Sequence, residues 1–276
     1  KSMKKSIVFS LLFALGFSAC AKTASDNYFS EQPSSSKKEY EIFRKNIAVE
    51  FENQTPKQWG ENVKGVKTKL FTNEKVIALT MDACGSPLGM GYDEKLINFL
   101  EQENIPATLF INARWINKNL STLKKLSLNP LFEIANHGLE HKPASVNGKS
   151  IYGLNGTNSV EGLVDEIELN ARKIESITHK RPKYFRSGTA YYDEVAVSVA
   201  NKLNHQVIGF SILGDGGATF SKEKVENAFL KAKNGEIAII HMNHPLSQTA
   251  DGTIKVINEL KQKGFKFVRL SDYKLK

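Results

Sequence analysis

The amino-acid sequence predicts an α/β fold, a distorted seven-fold (β/α) barrel of parallel strands. From residue 75 onward, seven short apolar runs alternate with segments whose apolar residues recur at helical spacing. A strand followed by a helix, repeated along the chain, places successive strands side by side in parallel. Seven such strands in about 200 residues indicate a closed or nearly closed barrel, with a doubly wound open sheet as the alternative.

The predicted strands are rich in β-branched and aromatic residues, and they lie at residues 76–81, 107–111, 132–135, 183–185, 206–212, 236–240 and 265–270. The predicted helices lie between strands, at residues 93–104, 159–177, 193–204, 222–234 and 252–264. In the first helix, Leu96, Ile97 and Leu100 share one face and charged residues occupy the other. That apolar face is expected to cover the sheet.

The first 58 residues are predicted to lie outside the barrel, which spans residues 59–276. Residues 1–19 combine lysines, the uncharged run from Ile7 to Phe17 and small residues before Cys20, which resembles a bacterial lipoprotein signal peptide. Cys20 is therefore expected to carry lipid and anchor an exported protein to a membrane of the cell envelope. A soluble periplasmic or secreted protein is the alternative. Residues 23–38 are polar and serine-rich, which predicts a flexible tether within the tether and lead-in segment of residues 20–58.

The net charge of +9 limits the classes of partner. The lysines are scattered and lack interleaved aromatic residues, so the sequence does not indicate a nucleic-acid-binding face. A mildly positive surface suits anionic cell-wall polymers or lipid headgroups. No feature of the sequence indicates an obligate protein partner. With Cys20 lipidated, Cys84 has no cysteine to pair with, so no disulfide framework is expected.

Ionisable side chains directly follow five of the predicted strands. They are Asp82, His137, Arg186, Asp215 and His241. Barrels and open parallel sheets both place their chemistry at the carboxyl ends of the strands. We therefore expect these five side chains to converge on one rim.

His137 and His141 are the candidate metal ligands. They lie four residues apart, so a helical turn would bring them to the same side of the segment. Together with Glu140 they also fit H-x-x-E-H, the zinc motif of the inverted metallopeptidases. That alternative requires a long helix, whereas here a predicted strand leads into the segment and Gly138 interrupts it.

Five segments resemble, in order and approximate spacing, the motifs of the polysaccharide deacetylases, the nodulation-protein-B-like carbohydrate esterases. They are IALTMDACG (77–85), NHGLEH (136–141), FRSGTAYYD (185–193), ILGDGG (212–217) and IIHMNHP (239–245). The resemblance extends from about residue 59 to the C-terminus. It implies a seven-fold β/α barrel that removes acetyl groups from N-acetylated sugars with one divalent ion.

The resemblance implies catalytic roles for four residues. Asp82 matches the catalytic base, and Arg186 matches the arginine that orients this base. His241 matches the catalytic acid, and Asp215 approximates the aspartate that tunes it. General acid catalysis is needed because an amine leaves poorly unless it is protonated.

The resemblance also implies that His137 and His141 hold the ion, which is expected to be zinc, with cobalt, manganese and nickel as alternatives. A divalent ion polarises an acetyl carbonyl and lowers the pKa of water toward ~7. Ala83 stands where the family has a metal-binding aspartate, and Gly138 stands where a hydroxyl residue braces the loop. Water and His244 are the candidates to fill the gap at Ala83, and packing or capping against Pro245 is the alternative role of His244.

Three functions are compatible with these residues. The first is metal-dependent deacetylation of an N-acetylated or O-acetylated cell-envelope polysaccharide, which in the N-acetylated case breaks a carbon–nitrogen bond that is not a peptide bond. The second is a degenerate barrel that binds glycans without turning them over, which Ala83 favours. The third is the inverted zinc metallopeptidase. Trp59 and either Tyr191 or Tyr192 are candidates to stack on a sugar ring, with packing as the alternative reading.

Overall fold

A computed structural model describes residues 23–276. The predicted signal peptide and Cys20 lie outside the described residues. The strands, numbered in chain order, are β1 (Val76–Ala83), β2 (Ala107–Ile111), β3 (Phe132–Asn136), β4 (Ser150–Ile151), β5 (Leu154–Asn155), β6 (Tyr184–Phe185), β7 (Gln206–Val207), β8 (Ile212–Leu213), β9 (Glu236–His241) and β10 (Lys266–Val268). Strands β4 and β5 form a hairpin, and the other eight form one parallel sheet.

The sheet curves into a half-barrel, which confirms the predicted class of fold. Its strand order is β7-β6-β3-β2-β1-β9-β8, and β10 pairs with the first half of β1. Six of the seven predicted strands are present as single strands. The barrel is open between β7 and β8, which together replace the single strand predicted at residues 206–212.

Hydrogen bonds to the segment before β1 explain this split. Lys67 N donates to Val207 O at 2.9 Å, and Gly209 N donates to Lys67 O at 2.8 Å. The backbone from Val207 to Gly209 is therefore also paired with Lys67, where the strand leaves the sheet. A Cβ on Gly209 would lie 2.9 Å from a methyl of Val66, so this close approach suits glycine.

The helices, also in chain order, are α1 (Ala24–Tyr28), α2 (Ser34–Phe51), α3 (Glu94–Gln102), α4 (Ala113–Lys118), α5 (Leu120–Leu128), α6 (Val160–Val164), α7 (Asn170–Thr178), α8 (Glu194–Lys202), α9 (Lys222–Leu230) and α10 (Thr249–Gln262). A π-helical turn, Asp165–Leu169, joins α6 to α7, and a 3₁₀ turn spans Leu270–Asp272. Leu96, Ile97 and Leu100 are fully buried on the predicted face of α3. Among the described residues, no helix is both long and apolar enough to cross a membrane.

Residues 23–38, predicted to be a flexible tether, include helix α1 and the start of helix α2. Helix α2 packs on the barrel through Ile47 and Phe51, and Tyr40 is 1% exposed. The Tyr40 hydroxyl donates to Asp165 Oδ1 at 2.6 Å. The apolar residues of helical spacing that indicate this helix lie between Tyr40 and Phe51, after the serine-rich start of the segment.

Side-chain alternation along β1 separates the core from the site. Leu79, Met81 and Ala83 point outward into the apolar layer between sheet and helices. The residues between them point into the barrel, where Thr80 and Asp82 are buried. The interior near the carboxyl ends of the strands is therefore the place where polar side chains meet.

Candidate active site and metal centre

Asp82 and Arg186 form a buried ion pair at the centre of the rim. Arg186 Nη1 donates to Asp82 Oδ1 at 2.7 Å, and Arg186 is fully buried. The guanidinium also donates to Thr80 Oγ1 and to the carbonyls of Ile208 and Gly209. Its plane lies over the Phe110 ring, with Cζ 4.2 Å from the ring centroid. The arginine is therefore held in one orientation, and it holds one oxygen of Asp82.

His137 and His141 lie beside this ion pair. Their ring centroids are 4.9 Å apart, and His137 Nε2 lies 3.5 Å from Asp82 Oδ2. His137 Nδ1 is 2.9 Å from the Arg186 carbonyl, to which it can donate only if it carries the proton. That arrangement leaves the lone pair on Nε2, as in metal-binding histidines. His141 Nε2 is buried and has no hydrogen-bond partner among the described residues.

Cys84 completes a group that the sequence analysis did not recognise. Its Sγ lies 3.6 Å from His137 Nε2, and the ligand atoms of Cys84, His137 and His141 all lie within 4.8 Å of one another. Three protein donors with an open fourth position are typical of a catalytic zinc site. The donors therefore fit a divalent ion of the zinc type.

The missing carboxylate at Ala83 has a geometric explanation. Ala83 is fully buried in the outer apolar layer, so its Cβ faces away from the histidines. Cys84 lies two residues after Asp82, directly beyond the end of β1, and its sulfur lies beside His137 and His141. The expected candidate, His244, lies elsewhere on the cavity wall, and the described group of candidate ligands does not include it.

Glu166 braces the loop that carries the two histidines. This buried residue of the π-helical turn accepts hydrogen bonds from the backbone N–H groups of Glu140 and Lys142, which flank His141. Gly138 has φ +78°, and a Cβ there would lie 2.3 Å from Glu166 Oε1. Position 138 therefore requires glycine, because its φ is positive and because a side chain there would collide with the Glu166 carboxylate. Burial raises the pKa of Glu166 to about 7.

His241 and Asp215 form a second pair, on the side of β1 opposite to the histidine loop. His241 is the last residue of β9 and lies in register with Asp82 on β1. Its Nδ1 is 2.9 Å from Asp215 Oδ1, and its backbone N–H donates to Asp215 Oδ2 at 2.7 Å. Thr249 Oγ1 donates to the same carboxylate. Asp215 therefore fixes the direction in which the His241 ring points.

The charges of these groups shift one another's pKa values. Burial opposes ionisation of Asp82, but the positive charges of Arg186, His137 and His241 hold its pKa below the usual value. Burial also disfavours the His241 imidazolium, yet the Asp215 carboxylate and the Cys84 sulfur raise its pKa well above the usual value. The site therefore stabilises an ionised carboxylate and a protonated imidazole together.

The Cys84 thiol is also predisposed to ionise. Burial opposes this ionisation, but the imidazoles of His141 and His241 and a hydrogen bond with His137 bring its pKa well below the usual value. The thiolate is the form of cysteine that binds metals.

Asp82, Cys84, His141 and His241 line one cavity of about 570 Å³, a volume typical of small-molecule sites. The histidines are in a loop with His141 at φ +61° and not on a helix, so the geometry required by the metallopeptidase motif is absent from this segment. Tyr192 is fully buried and its hydroxyl bonds to Ile208 O, which makes it a packing residue.

The fold and the site together define a class of protein: a parallel β/α half-barrel with an acid, a base and candidate metal donors at the ends of its strands. Residues 69–208, just over half of the chain, match the polysaccharide deacetylase family. The peptidoglycan-N-acetylglucosamine deacetylase of Bacillus cereus is 29% identical over 204 residues, which cover 72% of this chain and 88% of the relative.

Two solved structures show the same fold. A peptidoglycan N-acetylglucosamine deacetylase in complex with an N-hydroxybenzamide derivative has a TM-score of 0.64 at 21% identity, over 76% of this chain and 92% of that chain. A CE4 family pseudoenzyme from Bacillus anthracis has a TM-score of 0.62 at 21% identity, over 75% of this chain and 67% of that chain. The present chain belongs to the polysaccharide deacetylase family, which includes hydrolases acting on carbon–nitrogen bonds other than peptide bonds.

Proposed function

We propose that this protein is a zinc-dependent deacetylase of an N-acetylated cell-envelope polysaccharide, with peptidoglycan as the first substrate to test. The observation that carries the proposal is one cavity that Asp82, Cys84, His141 and His241 line together. Behind this lining, Arg186 is paired with Asp82, Asp215 is paired with His241, and His137 completes the group of candidate metal donors. The name of the Bacillus cereus relative supports peptidoglycan as the substrate.

In this proposal Cys84, His137 and His141 hold the ion. One sulfur and two imidazole donors favour zinc over manganese, and cobalt is its closest substitute. When bound, the ion supplies Lewis-acid polarisation of the acetyl carbonyl and acidifies a water molecule.

The side chains of the chain perform the proton transfers. Asp82, kept ionised and oriented by Arg186, accepts a proton from the attacking water. His241, kept protonated by Asp215, donates a proton to the sugar nitrogen as the carbon–nitrogen bond breaks. The products are acetate and the amine of the sugar. The Thr189 hydroxyl is buried without a partner among the described residues and lines the cavity, where it can donate to the acetyl oxygen.

Acetate release from N-acetylglucosamine oligomers tests this function. Purified protein is expected to contain about one zinc per chain and to lose acetate release on chelation, with recovery on adding zinc.

Asp82→Asn preserves the shape of the side chain but removes the base, so kcat is expected to fall by about 10²–10⁴-fold. Circular dichroism shows whether this variant remains folded. A zinc-loaded wild type that releases no acetate from any N-acetylated glycan would instead indicate the degenerate glycan-binding barrel.

We also propose that lipidated Cys20 anchors the protein at the cell envelope. The short apolar run before Cys20 and its small neighbours support this proposal. Several acyl chains on one cysteine would hold the protein firmly at a membrane. Cys20→Ser is therefore expected to move the exported protein from the membrane pellet to the soluble fraction. A wild type that is already soluble after export contradicts the anchor.

A further inference from the structure

The N-terminal helices contact the loop that carries the two histidines. Side chains after α1, on α2 and at the end of the π-helical turn form a small buried cluster, whose members are Phe29, Tyr40 and Leu169. Leu139 packs against this cluster, and it lies in the chain between the two histidines. The segment before the barrel therefore touches the loop of the candidate metal centre.

The π-helical turn connects α2 to the same loop through two adjacent carboxylates. Asp165 accepts hydrogen bonds from Tyr40 Oη at 2.6 Å and from Arg44 Nη1 at 2.8 Å, both on α2. Its neighbour Glu166 accepts hydrogen bonds from the two backbone N–H groups that flank His141. Single π-helical turns are rare and frequently occur at functional sites. This turn therefore has α2 on one side and the histidine loop on the other.

The ring of Tyr40 makes a second contact with this turn. The Arg172 guanidinium lies over the ring, with Cζ 5.1 Å from the ring centroid. Arg172 Nε also donates to Oε1 of Glu168, a residue of the turn, at 2.8 Å. The hydroxyl and the ring of Tyr40 are therefore held separately, so the hydroxyl can be removed while the ring stays in place.

The backbone of His141 explains why the loop needs this support. Its φ of +61° is uncommon for a bulky residue and persists only where the surrounding structure imposes it. On one side, a Cβ added to Gly188 would lie 2.2 Å from the His141 carbonyl oxygen, so the two backbones are in close contact. On the other side, Glu166 holds the flanking N–H groups. The position of His141 therefore depends on the position of the π-helical turn.

We propose that Tyr40 and Asp165 are positioning residues for the metal centre. By holding the π-helical turn, α2 keeps the histidine loop in the conformation that binds the ion. This inference rests on the proposed function, which assigns the ion to this loop. Helices α1 and α2 precede residues 69–208, which match the family, so the family match does not extend to these contacts. The segment before the barrel thus contributes to the site and does more than connect it to the N-terminus.

Tyr40→Phe tests this role, because it removes the hydroxyl and keeps the ring. We expect the dissociation constant for zinc, measured by competition with a chelator, to rise about fivefold, less than the 10–100-fold contributed by groups that bond directly to a metal ligand. At saturating zinc, kcat should equal that of wild type, because Asp82 and His241 are untouched. Glu50→Gln is the matched control, since it removes another polar contact of α2, the ion pair with Lys202 of α8. An unchanged dissociation constant in Tyr40→Phe contradicts the proposal.

Hydrogen exchange separates this inference from the proposed reaction. The backbone amides of Glu140 and Lys142 are followed in the protein as purified, with the amides of β1 as the internal reference. In Tyr40→Phe, local opening of the histidine loop is expected to speed exchange at these two amides about fivefold, with β1 unchanged. If wild type neither binds zinc nor releases acetate but this acceleration is seen, the deacetylase proposal fails and the positioning of the loop by Tyr40 stands. Equal exchange in Tyr40→Phe and wild type, or an acceleration of the same size in Glu50→Gln, overturns the positioning role.

Discussion

Replacing Cys84 with alanine is expected to remove the bound metal and to lower acetate release by about 100-fold or more, because even supporting groups around a metal contribute 10–100-fold to affinity. Cys84 offers the one anionic donor of the described group, beside two neutral imidazoles. Without it, the ion loses both a ligand and the charge that balances its own. Metal content per chain, measured after dialysis, checks this expectation directly.

A spectroscopic measurement distinguishes ligation from a merely structural role for Cys84. Cobalt-loaded wild type is expected to show a sulfur-to-cobalt charge-transfer band in the near ultraviolet, and Cys84→Ala should lack it. Cys84→Asp is the matched variant, since a carboxylate from the same position can still reach the ion, and it should bind metal without the band. A cobalt spectrum that is identical in wild type and Cys84→Ala would contradict ligation by sulfur.

Ala83→Asp provides the opposite control. Because Ala83 faces the outer apolar layer, a carboxylate there would be buried away from the histidines and would destabilise the fold without adding a ligand. The side-chain alternation along β1 predicts that Ala83→Asp does not restore metal binding to Cys84→Ala. Recovery of metal binding in the double variant would contradict this and show that β1 can place residue 83 in the site.

The fold could be predicted from local pattern because each strand and helix has its own periodicity. The alternation of apolar runs with helical segments was sufficient for the parallel half-barrel and for the buried face of α3. The split between β7 and β8 was not predictable in this way, because it depends on hydrogen bonds to Lys67, which lies about 140 residues away in the chain. Contacts so distant in sequence leave no local signal.

Site residues could be predicted from the sequence where they lie at the carboxyl end of a strand. This rule located Asp82, Arg186 and His241, and the structure brings their side chains together. Cys84 was not predicted as a metal donor, because the position of the family's metal-binding aspartate was matched with Ala83. The two-residue period of β1 would have indicated Cys84, since it lies two residues after Asp82. The role of Glu166 could not be predicted, because the sequence of its helical segment does not indicate the π-helical turn. This turn places the Glu166 carboxylate against the loop that carries His137 and His141.

His241→Ala is expected to lower kcat by about 10²–10⁴-fold, the usual contribution of a general acid. The physical reason is the leaving group, because an unprotonated amine departs poorly. Metal content should remain that of wild type, since His241 lies outside the described group of candidate ligands. His179→Asn is a matched control, because His179 is an exposed histidine at φ +57° after α7, a conformation that asparagine tolerates. A His241→Ala variant with wild-type kcat would remove this residue from the mechanism.

Asp215→Asn tests how the acid is kept protonated. The acid must carry its proton, so kcat/KM falls as the pH rises through the pKa of His241, which the Asp215 carboxylate raises well above the usual value. Replacing the carboxylate with an amide removes that stabilisation of the imidazolium and lowers the pKa of His241. The alkaline limb of the pH profile is therefore expected to move to lower pH. The acid limb should stay in place, because Asp82 owes its lowered pKa first of all to Arg186 among its charged neighbours. In the described site, no other contact brings a carboxylate so close to the His241 imidazole, so loss of the Asp215 carboxylate must lower the pKa of His241. An alkaline limb that does not move in Asp215→Asn would therefore belong to a group other than His241.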